Sequence, residues 1–121
     1  MVTTAKVSAP YALVLVMDST GGDIPGSMGH ALIASTPSCI AIGCRSEQDG
    51  AVELTLSVAS EVCLADPPVF SGFLETPSRR VEISTVLGDT ILGAISDRQR
   101  TLVQVWVDDP REPGRIIVGI E

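Results

Sequence analysis

The chain has 121 residues, of which 45% are apolar, and a mean hydropathy of +0.34, so it is long and apolar enough to bury one core. Fifteen acidic residues against eight basic ones give a net charge of −7. This balance argues against direct binding of nucleic acid, because phosphate contacts need clustered Lys and Arg. We predict one domain over residues 1–121.

The first apolar run, residues 11–17, is too short to cross a bilayer, which takes about 20 apolar residues. It leads into Asp18 and a glycine-rich segment, which indicates a strand that ends in a turn. We therefore predict no membrane partner.

The cysteines indicate a reducing compartment. Cys39, Cys44 and Cys63 make an odd count without C-x-x-C spacing, so we expect a cytoplasmic protein. Cys39 lies in an apolar run and is predicted to be a small core residue. Cys44 and Cys63 are either buried or reactive thiols, since Arg45 beside Cys44 could lower its pKa.

Short runs rich in β-branched residues predict strands. Within the run of residues 51–58, positions 52–58 alternate between apolar and polar, which is typical of a half-buried strand. The predicted strands are residues 11–17, 31–34, 39–42, 51–58, 80–86, 101–107 and 115–120. A helix over residues 57–65 is disfavoured by its valines and by the prolines that follow. We predict an all-β fold, a single-domain antiparallel β-sandwich of about seven or eight strands.

Turn residues separate these runs and carry many of the acids. The dipeptide Asp49-Gly50 predicts a hairpin, and residues 108–114 predict another with a longer loop. Acids gather in three connections: Asp18 and Asp23, then Glu47 and Asp49, then Asp108, Asp109 and Glu112. Because the loops of a sandwich meet at two ends, acidic loops at one end would form a surface suited to a basic partner. The alternative is charge that serves solubility alone.

Two single residues have two interpretations each. Trp106 is either an interface anchor, since Trp is enriched among binding hot spots, or one large core or edge residue. His30 is the single histidine, so any acid–base scheme must use it, with Asp18, Asp23 or Ser27 nearby in the sequence. The simpler interpretation is that His30 opens a strand and hydrogen-bonds locally.

Patterns of known catalytic and ligand-binding sites are absent. The chain has no G-x-S-x-G elbow, no calcium-loop pattern and no lysine after its glycine-rich segment. One histidine and three scattered cysteines make no zinc spacing. We predict that the chain is not an enzyme and binds neither a metal nor a cofactor.

The order of the segments is similar to that of a known family. The first shared segments are the strand end Val16-Met17-Asp18, a glycine-rich loop and His30. Next come Pro37-Ser38-Cys39-Ile40-Ala41-Ile42-Gly43 and the turn Asp49-Gly50 with the strand after it. The last are Pro68-Val69-Phe70 and Arg80-Val81-Glu82-Ile83-Ser84-Thr85, which precede two final strands. This order resembles the competence protein J family, small bacterial β-sandwich proteins that inhibit a DNA-entry nuclease. The family usually carries a Trp ahead of the His and aromatics between the His and the Pro, which this chain lacks. Related small acidic proteins act as immunity partners of toxins.

The resemblance implies a β-sandwich that binds and inhibits a protein, with no catalytic residue. Together with the acidic loops, it predicts an inhibitor or immunity protein for a basic nuclease or toxin. The predicted partner-binding residues are Asp18, Asp23, His30, Asp49, Trp106, Asp108, Asp109 and Glu112. The alternative is a structural sandwich that forms homo-oligomers, because the apolar run Arg115–Ile120 would invite a second copy if it were an edge strand.

Overall fold

Two five-stranded β-sheets pack face to face. The computed structural model describes residues 2–29, 31–58 and 66–121. The strands are β1 (Thr3–Val7), β2 (Leu13–Asp18), β3 (Ile33–Thr36), β4 (Cys39–Gly43), β5 (Val52–Val58), β6 (Phe70–Glu75), β7 (Arg80–Thr85), β8 (Thr90–Ile95), β9 (Arg100–Val107) and β10 (Arg115–Ile120). Sheet A has the order β1-β5-β10-β9-β6, and sheet B has the order β3-β4-β2-β7-β8. Neighbouring strands are antiparallel except for β5 and β10, which are parallel.

The predicted all-β sandwich is confirmed, but the described residues form ten strands rather than seven or eight. Three strands have no counterpart among the predicted runs: β1, β6 and β8. All three lie at sheet edges, where one side of the strand has no neighbouring strand among the described residues. Edge strands bury less surface than central ones and need a weaker apolar pattern, so they leave a weaker signal in the sequence.

Glycines weaken that signal further in two of the missed strands. A Cβ on Gly72 in β6 would lie 2.9 Å from the Phe70 ring. A Cβ on Gly93 in β8 would meet the guanidinium of Arg80. In each case glycine leaves room for a neighbouring side chain on the sheet.

The core lies between the sheets and is almost wholly aliphatic. Val52, Leu54 and Leu56 of β5 are fully buried and point inward. Valines, leucines and isoleucines from both sheets complete one cluster, to which Ala9 and Cys44 add. Each fully buried side chain of this size contributes about 1.5–3 kcal/mol.

The two predicted hairpins have opposite outcomes. Residues 108–114 do join antiparallel neighbours, with Ile116 opposite Val107, so that prediction is confirmed. The hairpin at Asp49-Gly50 is wrong, because β4 belongs to sheet B and β5 to sheet A. The Asp-Gly dipeptide instead serves a crossover between sheets, where Gly50 has φ +128°. Turn chemistry specifies a local reversal but not which strands pair afterwards.

The last strand is central rather than peripheral. β10 lies between β5 and β9, so both of its edges are occupied. The condition for the homo-oligomer alternative, a free edge on Arg115–Ile120, is not met.

The connection from β2 to β3 covers the outer face of sheet B. Met28 packs there on Leu15, Cys39 and Ala41, which form a second small buried cluster. This confirms Cys39 as a buried core residue. The described residues include no helix long and apolar enough to cross a membrane. In the disfavoured helix over residues 57–65, positions 57 and 58 belong to β5, and the remainder lies outside the described residues.

Candidate functional site

The sandwich separates the predicted acidic loops into two groups. β2 ends at Asp18, whereas its first residue, Leu13, pairs with Gly43 at the end of β4. The connections after β4 and β9 therefore lie at the opposite end from Asp18, about 17 Å away along the strand. Asp23 stays near Asp18, because its backbone N–H donates to Ser38 Oγ at 2.8 Å in the β3–β4 turn.

The other acids meet at one end. We call this region the acidic end; it comprises residues 44–51 and 108–114, with the acids Glu47, Asp49, Asp108, Asp109 and Glu112. All five are exposed. The same two loops hold two basic residues, Arg45 and Arg111.

Arg45 ties the two loops of the acidic end together. Its backbone N–H donates to the Pro113 carbonyl at 2.8 Å, and the Glu53 N–H donates to the Gly114 carbonyl at 2.9 Å. The Arg45 guanidinium lies against the Cα of Gly114, in space that any side chain there would fill. It also donates to the Ala51 carbonyl at 3.4 Å. A cation between two acidic loops lowers their mutual repulsion and holds them side by side.

Two aspartates shape the loop that they occupy. Asp108 Oδ1 accepts from the N–H groups of Gly114 and Arg115, at 3.0 and 3.1 Å. Burial alone would raise the pKa of Asp108, but the backbone N–H donors, led by Arg115 and Gly114, hold it below its ordinary value. Asp109 Oδ1 accepts from the Arg111 N–H at 2.9 Å. Asp108 is thus negatively charged at neutral pH in a loop that its own carboxylate orders.

The opposite end carries positive and negative charges that nearly balance. Four of the eight basic residues lie in or beside its turns: Arg79, Arg80, Arg98 and Arg100. These turns contact one another through backbone bonds, such as the Ser96 N–H to the Arg79 carbonyl at 2.8 Å. Asp18, Asp23, Glu75 and Asp97 lie at this same end, so the excess of negative charge is found at the acidic end, a distribution that only the strand order reveals.

Tyr11 lies beside the acidic end and is not among the predicted partner-binding residues. The predicted strand over residues 11–17 includes it, but β2 begins at Leu13. Tyr11 and Ala12 both adopt left-handed backbone, with φ 59° and 55°, and Tyr11 is 78% exposed. The Ala12 carbonyl accepts a hydrogen bond from the Cys44 N–H at 2.9 Å, which places this turn against the loop of residues 44–51. Left-handed non-glycine residues persist only where the surroundings hold them; Pro10 before Tyr11 is the sequence signal for such a turn.

Trp106 lies on the outer face of sheet A, near the acidic end. Its neighbour Val105 points into the core, so Trp106 points outward and is half-buried. The indole Nε1–H donates to the Asp66 carbonyl at 2.9 Å. Since β9 lies between β10 and β6, Trp106 is neither a core residue between the sheets nor on an edge strand.

Asp18 serves the fold itself. It is 2% exposed and accepts four hydrogen bonds, from the N–H and hydroxyl of Thr20 and of Ser78. Burial alone would raise its pKa, but these donors hold it below the ordinary value. The carboxylate joins the ends of β2 and β7, and we leave it out of the candidate surface. Asp23 is exposed at the same end, and His30 lies outside the described residues.

Burial makes the two thiols in the described part of the chain unreactive. Cys39 and Cys44 are buried free cysteines, and burial raises the pKa of each to about 11. Arg45 does not activate Cys44, because its guanidinium extends toward Gly114 instead. The reactive alternative for Cys44 is wrong, and Cys63 lies outside the described residues. Within residues 2–29, 31–58 and 66–121, no three His, Cys, Asp or Glu side chains are grouped as metal ligands.

Comparison with known proteins identifies a similar fold. No family model matches the chain, and no curated protein matches it. It is similar to a solved structure, ComJ, inhibitor of the DNA degrading activity of NucA, from Bacillus subtilis. The two share 9% sequence identity with a TM-score of 0.71, over 98% of this chain and 93% of that one. The resemblance noted in the sequence is thus confirmed at the level of the fold.

Proposed function

We propose that this sandwich is a non-catalytic protein-binding module that inhibits a basic nuclease through its acidic end. The observation that carries the proposal is the excess of negative charge at one end: the two loops of the acidic end hold five exposed acids and two basic residues, whereas acids and basic residues nearly balance at the opposite end. An acidic surface attracts a basic partner and speeds its association. The shared fold with ComJ, a nuclease inhibitor, supports this partner class.

The proposed mechanism is occlusion by charge mimicry. A nuclease that binds DNA presents cationic side chains to the phosphates. Exposed carboxylates on two ordered loops would pair with the same side chains and exclude DNA. Tyr11, exposed beside these loops, would supply an aromatic contact of the kind that is enriched at interface hot spots.

The proposed compartment is the cytoplasm. Cys39 and Cys44 are free thiols, which fits a reducing environment.

The test uses two variants with equal charge and different geometry. The acidic-end variant is Glu47→Lys with Asp49→Lys and Glu112→Lys. The opposite-end variant is Asp23→Lys with Glu75→Lys and Asp97→Lys. Both sets are exposed, and both take the net charge from −7 to −1. A charge effect without a defined surface would affect both variants equally.

Wild-type protein and both variants are immobilised, and lysate and secreted fractions of the source organism are passed over them. Retained proteins are assayed for DNA degradation with and without added wild-type protein. We expect a nuclease that the wild type inhibits and that associates about tenfold or more slowly with the acidic-end variant alone. Equal behaviour of the two variants, or no retained nuclease that the chain inhibits, would contradict the proposal.

A further inference from the structure

An open cleft lies beside Trp106 on the outer face of sheet A. Its volume is about 290 Å³, and its walls are Asp66, Pro67, Val69, Trp106, Val107, Asp108, Arg115 and Ile117. The indole forms one aromatic wall, and the hydrogen bond from its Nε1 to the Asp66 carbonyl fixes the ring in place. Proline and aliphatic side chains supply further apolar walls, so the cleft suits a side chain with an apolar stem.

Two carboxylates mark the polar rim of this cleft. Asp108 accepts the N–H groups of Gly114 and Arg115 through Oδ1. No donor among the described residues engages the Asp66 carboxylate, and Asp66 is exposed. A cation entering between them would face two carboxylates.

Arg115 is the one cation among the described wall residues, and Glu53 lies beside it. The Arg115 Nε lies 3.9 Å from Glu53 Oε1, on the neighbouring strand β5 away from Trp106. Among the described wall residues, Asp66 and Asp108 against Arg115 leave one net negative charge. Its complement is therefore a positively charged side chain.

The combination of an indole with carboxylates discriminates between the two basic side chains. A planar guanidinium stacks on an aromatic face and donates two parallel N–H groups to a carboxylate. An ammonium is a strongly hydrated point charge and does neither as well.

We propose that this cleft receives an arginine side chain of the basic partner, stacked against Trp106 and paired with Asp66 and Asp108. The inference rests on the proposed function for its partner, and it adds the chemical group that the surface recognises. It also assigns Trp106 and Asp66 as specificity-determining residues.

Trp106 is the single tryptophan of the chain, so its fluorescence reports on the cleft directly. The wild type is titrated with a blocked Gly-Arg-Gly peptide and, separately, with Gly-Lys-Gly. We expect saturable fluorescence change with a Kd of about 1–10 mM for the arginine peptide, since one stacked ion pair gives weak affinity alone. The lysine peptide should bind about five- to tenfold more weakly.

The variant Asp66→Asn, matched by Asp97→Asn at the opposite end, locates the effect. Asp66→Asn should weaken the arginine peptide about threefold or more, while Asp97→Asn should match the wild type. Equal binding of both peptides, no saturation, or an unchanged Kd in Asp66→Asn would overturn the cleft assignment.

Inhibition of the retained nuclease separates this inference from the proposed function. If the wild type inhibits the nuclease and Asp66→Asn inhibits it equally well, the cleft assignment fails and the acidic-end inhibitor stands. If the chain inhibits no nuclease, the proposed function fails, and peptide binding then measures the arginine preference of the cleft alone.

Discussion

Replacing Asp18 with Asn tests how far one buried carboxylate holds the end of the sandwich together. The wild-type carboxylate accepts four hydrogen bonds, two from backbone N–H groups and two from the hydroxyls of Thr20 and Ser78. An Asn keeps one oxygen, but its NH₂ group faces at least one backbone N–H that then lacks an acceptor. That unpaired donor costs about 1–3 kcal/mol, and loss of charge weakens the remaining bonds.

The expected loss of unfolding free energy for Asp18→Asn is about 3 kcal/mol, and the expected fall in Tm is roughly 10 °C for a domain of this size. Urea denaturation followed by Trp106 fluorescence measures it. Asp97→Asn is the control, since Asp97 is exposed at the same end and its replacement should change stability by less than about 0.5 kcal/mol.

The pH dependence gives an independent check on the reasoning. The folded pKa of Asp18 lies below its unfolded value of 3.8, so the stabilisation is fully present above that value. It is lost as the pH falls through the folded pKa, where the carboxylate protonates. The deficit of Asp18→Asn relative to wild type should therefore be constant near neutral pH and shrink below about pH 3.8. A deficit under about 0.5 kcal/mol, or one that is independent of pH, would refute the assigned role.

Three further outcomes are expected. Gly22→Ala should destabilise the protein by about 1–3 kcal/mol in the same urea assay, because its Cβ would collide with a backbone carbonyl of the β3–β4 turn. The control Gly26→Ala should leave the stability unchanged, because nothing lies within 4 Å of its Cβ. Equal losses of stability in the two variants would contradict this. In a Cys63→Ser background, Cys39 and Cys44 should not react with iodoacetamide at about pH 8 until the chain unfolds, because burial raises the pKa of both thiols to about 11. Mass spectrometry measures the modification. The rate at which the wild type associates with its nuclease should fall steeply with added salt, whereas the association rate of the acidic-end variant should change little. Stopped-flow measurements that give the same salt dependence for both proteins would argue against electrostatic steering.

The predictable part of the fold was its central strands. β5, β9 and β10 have neighbours on both sides, and their buried faces demand the alternation or apolar density that the sequence displays. The edge strands β1, β6 and β8 escape prediction because their sequences meet weaker demands. The Asp49-Gly50 turn misleads for a related reason: a turn motif cannot reveal whether the chain re-enters the same sheet.

The site was predictable as a composition but not as a surface. Asp49, Asp108, Asp109 and Glu112 were recognisable as acidic loop residues and do meet at one end. Asp18 belongs to the same pattern in the sequence, yet its carboxylate is buried in hydrogen bonds at the other end. Exposure and grouping depend on neighbours far away in the chain, which loop composition does not contain.

The all-β class, the aliphatic core and the acidic balance can be read from the amino-acid sequence, because each follows from local periodicity or from composition. Which loops meet depends on how the strands pair. The order and direction of the strands bring residues 44–51 and 108–114 together and send Asp18 and Asp23 to the far end. Likewise, only the packing of Asp66 on Trp106 creates the cleft, since those residues lie 40 positions apart. Strand pairing is a long-range choice, made by the fit of whole faces rather than by any single segment.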